Sequence, residues 1–252
     1  HIPIETAIPT LRFLNERVMS LSIATHNMWI GYRSNGLELF NHKNNTVTKY
    51  TTKTTPMLSS NSVSAILPLE SGETIIGTFG GGLNVLNGDN TVDFYRKDHS
   101  ERSLKHDNVI MLFRSSNGTI WIGTEGGLQV FELSSREFFP VEVDLELENI
   151  IIWSITEDSS GKLWAGSMHH GLFNLSSSEG QHNAHLASSI KLEMTEPIST
   201  IYSIEAGSAG RLWLATNRGL TRIDPVSGAL DYFTQELGFS RPEFDVGASH
   251  RD

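Results

Sequence analysis

Short runs of alternating apolar and polar residues recur along the chain: VMSLSIA from Val18, SVSAILPL from Ser62, NVIMLFRS from Asn108, NIIIWSITED from Asn149 and ISTIYSIEA from Ile198. Each is followed by a glycine-rich segment that usually carries a tryptophan: NMWIGYRSNGLELFN from Asn27, ETIIGTFGGGLNVLN from Glu73, GTIWIGTEGGLQVFE from Gly118, GKLWAGSMHHGLFNL from Gly161 and GRLWLATNRGLTRID from Gly210. A weaker apolar run comes later in the unit, as in TVDFYRK from Thr91 and LDYFTQE from Leu230. Alternation over such short runs marks strands, and no apolar period of about 3.6 residues persists over about ten positions. The pattern predicts an all-β chain.

The position of Gly31 recurs as Gly77, Gly123, Gly166 and Ala215, at intervals of 46, 46, 43 and 49 residues. Such a period fits four short strands and their turns, the size of one propeller blade. The expected fold is therefore a β-propeller of four-stranded antiparallel blades, with five clear repeats and partial terminal strands in a single region, 1–252. The blades are expected near 17–51, 61–97, 108–140, 149–193 and 198–235, with a partial blade at 243–252 completed by 1–16. In each repeat the first run reads as the innermost strand, buried on both faces. Polar turns follow: SSNG at 115–118, DSSG at 158–161 and GSAG at 207–210, each ending in a glycine free to take φ > 0. The second strand carries Trp29, Trp121, Trp164 and Trp213, sized to fill the gap between neighbouring blades. The glycines Gly31, Gly77, Gly123 and Gly166 then admit a close approach by another group. Ile75 in place of Trp, Ala215 in place of Gly, and the insertion SSSEGQHNAHLASS at 176–189 depart from the pattern.

Composition narrows the chemistry. The net charge of −10 repels phosphate backbones, and Lys and Arg form no basic stripe, so nucleic acid is not an expected partner. Cysteine is absent, which excludes disulfides and thiolate metal sites. No apolar run is long enough to span a bilayer, and HIPIETAIPT at the start lacks the pattern of a signal peptide. The chain therefore reads as a fragment or a processed product.

Loops between second and third strands emerge on the face where propellers bind ligands. In this chain they differ from copy to copy while the flanking strands do not. The candidate ligand-binding residues are Tyr32, Arg33, Asn35, Phe79, Glu125, Met168, His169, His170, Asn217 and Arg218. Aromatic faces with charged groups around them could grip a small molecule or a glycan. Adjacent histidines in a strand point to opposite faces, so His169 and His170 are poorly placed to share an ion. His182 and His185 fall in the polar insertion, which reads as a solvated loop, and no metal or cofactor is expected. Nucleophile and zinc-protease motifs are missing, so no catalytic residues are predicted.

The repeats GTIWIGTEGGLQVFE and GKLWAGSMHHGLFNL resemble the two-component regulator propeller repeat, and the resemblance runs from about residue 17 to 252. The linker FYRKDHSERSLKHDNVIMLFRSSNGTIWIGT is similar to those of the same family. The resemblance implies an extracytoplasmic, periplasmic, non-catalytic ligand-sensing region of a bacterial inner-membrane signalling protein. Its output, a histidine kinase or diguanylate cyclase, would lie elsewhere in the chain, and self-association as a homodimer is compatible with it. Two alternatives stay open: a protein-interaction scaffold, and a propeller hydrolase or lyase acting on glycans with Glu125 and His169 as its acid and base.

Overall fold

The computed structural model describes residues 17–24, 26–143, 150–177, 185–190, 198–207 and 210–233. The terminal segments expected to share a partial blade, and His182, lie outside them. Among the described residues the chain forms twenty β-strands and no α-helix, so nothing there is a helix able to cross a membrane. The chain divides into two compact units, 1–112 and 113–252.

In the first unit β1 (Val18–Ala24), β2 (Asn27–Tyr32), β3 (Leu37–Asn41) and β4 (Thr46–Tyr50) form one antiparallel sheet in sequence order. A second sheet follows in β5 (Val63–Pro68), β6 (Thr74–Thr78), β7 (Gly82–Leu86) and β8 (Val92–Tyr95). The boundary between units falls within β9 (Val109–Arg114). The second unit continues with β10 (Ile120–Thr124), β11 (Gly127–Glu132) and β12 (Glu137–Val143), then β13 (Ile152–Glu157), β14 (Leu163–Ser167), β15 (Leu172–Ser177) and β16 (His185–Ile190). It ends with β17 (Ile201–Ala206), β18 (Leu212–Thr216), β19 (Gly219–Ile223) and β20 (Leu230–Phe233). The meander of four antiparallel strands thus repeats five times, and the chain is an all-β propeller fold.

Two features differ from expectation. The first strands are not buried on both faces: each is the edge of its sheet, and β5 alternates buried and half-buried positions. The second strand lies inside the sheet, and β6, β10 and β14 are buried at every residue. The other difference is in the insertion, where the segment from His185 is a strand, not a loop. β16 pairs antiparallel with β15 and, through Val141 to Val143, in parallel with β12, joining two four-stranded sheets into one of eight. Backbone groups left open at two adjacent outer edges satisfy each other there.

The first strands β1, β5, β13 and β17 shift register at the same place: between Val18 and Ser20, Val63 and Ala65, Ile152 and Ser154, and Ile201 and Ser203. The residue before the shift is β-branched, and Val63 and Ile201, like Val109 at the start of β9, rest on the glycine of the preceding sheet. A methyl group at Gly31, Gly77 or Gly166 would lie 2.7, 2.6 or 2.6 Å from Val63, Val109 or Ile201, respectively. Those three side chains are fully buried, whereas Val18, with no such glycine before it among the described residues, is 43% exposed. The tryptophan two residues earlier adds area to the same junction. Trp29 clusters with Val63, Ile76 and Leu86 of the next sheet, and Trp164 with Ile198, Ile201, Ile204 and Leu212.

The turns are held by short side chains. Gly118 and Gly161 take φ of 89° and 84°, and their N–H groups donate to Ser115 and Asp158 carbonyls at 2.8 and 2.9 Å. Asp158 Oδ1 accepts from Ser160 N, Ser160 Oγ and Lys162 N, while Oδ2 accepts from Trp164 Nε1 at 2.8 Å. The aspartate therefore fastens the turn to the tryptophan packed between sheets. Burial works against its ionised form, but these hydrogen bonds outweigh it and hold the carboxyl below its ordinary value of 3.8.

Two predictions follow from this packing. Gly77→Ala should lower the unfolding free energy by about 1–3 kcal/mol through overpacking against Val109. Gly72→Ala, in an open turn with nothing within 4 Å, should cost only backbone strain of about 1–2 kcal/mol. Equal losses in urea unfolding with a small effect at both sites would contradict the junction. For Asp158 the folded carboxyl is depressed, so its contribution is complete above the unfolded value of about 4 and is lost as pH falls through the folded one. The stability gap between the native chain and Asp158→Asn should accordingly narrow between about pH 5 and pH 2; a gap independent of pH would show that ionisation of Asp158 is irrelevant.

Candidate functional site

The loop after each second strand is closed by a buried hydroxyl. Thr78 Oγ1, Thr124 Oγ1, Ser167 Oγ and Thr216 Oγ1 donate to the carbonyls of Gly82, Gly127, Gly171 and Gly219 at 2.8 to 2.9 Å. Those glycines adopt positive φ, and a side chain at Gly82 would run into the Tyr95 carbonyl. In the first sheet Tyr32 takes the place of the Thr or Ser. It is 2% exposed, its N–H donates to the Gly36 carbonyl, and its hydroxyl donates to Glu38 Oε2 at 2.9 Å. The turn is thus fixed by residues committed to the frame, which leaves the next residue free to vary.

That next residue has a set neighbour. Its N–H donates to the carbonyl of the residue just before the first strand of the same sheet: Arg33 to Arg17 at 3.0 Å, Phe79 to Ser62 at 2.9 Å, Met168 to Ile151 at 2.9 Å and Asn217 to Thr200 at 3.1 Å. Each sheet therefore presents a seat of two residues at the same end. In the first unit two such seats, with Met19 at the β1 register shift, line a cavity of 380 Å³: Arg17, Met19, Arg33, Ser62 and Phe79. Arg17 and Arg33 are exposed and Phe79 is half-buried. Among the described residues neither guanidinium has a hydrogen-bond or ion-pair partner.

Sequence reading picks out Arg33 and Phe79, and the cavity joins them. Tyr32 is instead buried, and Asn35 Oδ1 accepts from Lys49 Nζ at 2.7 Å. Arg17, Met19 and Ser62 escaped notice because they sit at the start of an apolar run with no motif around them. The signal that finds them is pairing, since the residue before a first strand lies opposite the residue after the second.

In the second unit Glu125, His169, His170, Asn217 and Arg218 are exposed and Met168 is half-buried. His169 has φ of 79°, and His170 N donates to Ser167 Oγ at 3.1 Å. The two histidines lie in the turn between β14 and β15, so the strand rule about opposite faces does not govern them. Asn217 is occupied with its own seat, its Oδ1 accepting from Thr200 N and its Nδ2 donating to Ser199 Oγ. Trp153 and Tyr202, half-buried at the register shifts of β13 and β17, stack with centroids 5.2 Å apart and planes at 24°. Among the described residues no three His, Asp or Glu side chains are gathered for a metal. The described residues offer paired cations, aromatic faces and small hydroxyls.

Comparison with known proteins places the repeats. A histidine kinase P4 from Formosa agariphila is 25% identical over 257 aligned residues, covering 95% of this chain and 18% of that protein. This chain thus spans about a fifth of the relative's length. The extracellular domain assigned to a hybrid two component system of B. thetaiotaomicron superposes with a TM-score of 0.65 at 20% identity, over 86% of this chain and 28% of that one. Virginiamycin B lyase from Staphylococcus aureus gives 0.61 at 16% identity, over 85% of this chain and 68% of that one, so the fold is shared by proteins of different activity. Residues 103–126 and 146–169 match the two component regulator propeller family, each stretch running from the linker through a first strand into the Trp-x-Gly segment. Two of the five repeats therefore match the two component regulator propeller family.

Proposed function

We propose that this region is the extracytoplasmic, ligand-sensing propeller of a bacterial transmembrane signalling protein, periplasmic and itself non-catalytic. The observation that carries the reading is the cavity lined by Arg17, Met19, Arg33, Ser62 and Phe79, built from seats that differ between repeats on a frame whose recurring residues are spent on packing. A pocket with an apolar wall and a few polar groups is the usual form of a small-molecule site, and 380 Å³ lies within the usual range of about 300–1,000 Å³. The relative from Formosa agariphila, by its name, favours a histidine kinase as the output, and the hybrid two component neighbour supports an outward-facing location. Ligand binding shifts such an output only as far as its affinity differs between two arrangements of the whole protein.

A thermal-shift screen of residues 1–252 against oligosaccharides, amino acids and small organic acids tests the reading. A ligand at about 100 times its Kd adds about 2.7 kcal/mol, which for a chain of this size raises Tm by about 5–10 °C. Phe79→Ala should remove that shift while leaving the unliganded Tm within about 2 °C, because Phe79 is only half-buried. A screen of this breadth without a hit, or a hit indifferent to Phe79→Ala, would count against sensing at this cavity.

A further inference from the structure

We propose that the cavity of the first unit takes a carboxylate-bearing ring compound, its carboxylate held by Arg17 and Arg33 and its ring laid against Phe79 and Met19. The inference rests on the sensing reading and gives the ligand its chemical class.

The argument starts from register. Val18 pairs with Tyr32 across β1 and β2, so Arg17, one residue before, and Arg33, one residue after, come to the same end of the hairpin. The bond from Arg33 N to the Arg17 carbonyl at 3.0 Å fixes the two backbones side by side. Like charges directly opposite in an antiparallel pair destabilise it. In this chain the cost is not offset within the described residues, because neither guanidinium finds a carboxylate or carbonyl there. On a protein of net charge −10 acidic side chains are plentiful, with 29 Asp and Glu against 19 Lys and Arg, and two unpaired arginines on one cavity wall are the less expected for that. An anion placed between them removes the repulsion and gains charge-assisted hydrogen bonds whose planar fork matches a carboxylate.

The apolar part of the lining sets the rest of the ligand. Phe79 N donates to the Ser62 carbonyl at 2.9 Å, and Gly80 N donates to Asn108 Oδ1 at 2.7 Å, so the phenylalanine is carried on a tied turn. Its half-buried ring and the Met19 side chain give an apolar face, on which a flat ring or the C–H face of a sugar stacks. Ser62 adds one hydroxyl to the same lining. A volume of 380 Å³ suits a single ring with its substituents. Two kinds of compound share this chemistry, aromatic acids and uronic acids.

The test is titration of residues 1–252 with two matched pairs: phenylacetate against phenylacetamide, and D-galacturonate against D-galactose. At least one acid should bind ten-fold or more tighter than its neutral partner, and which acid does so identifies the source. Arg17→Gln and Arg33→Gln should each weaken that acid at least ten-fold without lowering the Tm of the unliganded protein, because both side chains are exposed and the loss of either charge relieves the repulsion between them. Raising salt from about 0.05 to 0.5 M should weaken the acid and leave the neutral partner unaffected, as screening requires. If a neutral compound binds as tightly as its acid, and Phe79→Ala abolishes both while the arginine variants do not, the anion assignment is overturned and sensing at the cavity stands. If none of the four probes binds, the assignment is overturned, and the broader ligand screen decides separately whether the cavity senses anything.

Discussion

A β-branched side chain resting on the bare backbone of a glycine is the contact on which the rest of this structure depends. Val63 on Gly31, Val109 on Gly77 and Ile201 on Gly166 each bring the first strand of one sheet against the second strand of the sheet before it. Burying a Val or Ile side chain is worth about 1.5–3 kcal/mol, and the contact is available only where the facing residue has no side chain of its own. In β5 and β17 a register shift directly follows that side chain, at Val63 and Ile201. At Gly31 and Gly166 the tryptophan two residues earlier, Trp29 or Trp164, then covers the junction, so one short motif supplies both the hole and the lid. The fully buried second strands are the product of this arrangement, because they are covered by their own sheet on both edges and by the neighbouring sheet on a face.

Closing each loop with a buried hydroxyl separates frame from surface. Thr78, Thr124, Ser167 and Thr216 spend their side chains on a carbonyl within the same turn, and the glycine that follows accepts a backbone shape closed to other residues. The residue between them has its position fixed by a backbone bond and not by its side chain. Arg33, Phe79, Met168 and Asn217 hold equivalent places with wholly different chemistry for that reason.

Much of the architecture was legible because it rests on local rules. The alternating runs became strands, and the glycines at 118 and 161 took the positive φ that their turns require. Burial of the first strands was misread because a run such as SVSAILPL looks equally apolar whether it lies inside a sheet or at its edge, and strand order is a property of the whole sheet. The same limit hid β16, since HLASSI has little apolar content and is a strand by virtue of two partners distant in sequence. At the candidate site, loop position was enough to find Arg33 and Phe79, whereas Arg17, Met19 and Ser62 required the pairing between strands. Tyr32 looked like a loop aromatic because nothing in its immediate sequence shows that it substitutes for the buried hydroxyl of the other repeats.

The backbone bond that ties the residue before one strand to the residue after the next makes each repeat a carrier of a two-letter word. Arg-Arg, Ser-Phe, Ile-Met and Thr-Asn are four such words, each held in place by the same backbone bond whatever its side chains. Copying a repeat copies its word intact, and altering the word leaves the fold's grammar untouched. A lineage built from such units can therefore acquire a new recognition surface by duplication and respelling, without passing through an unfolded intermediate.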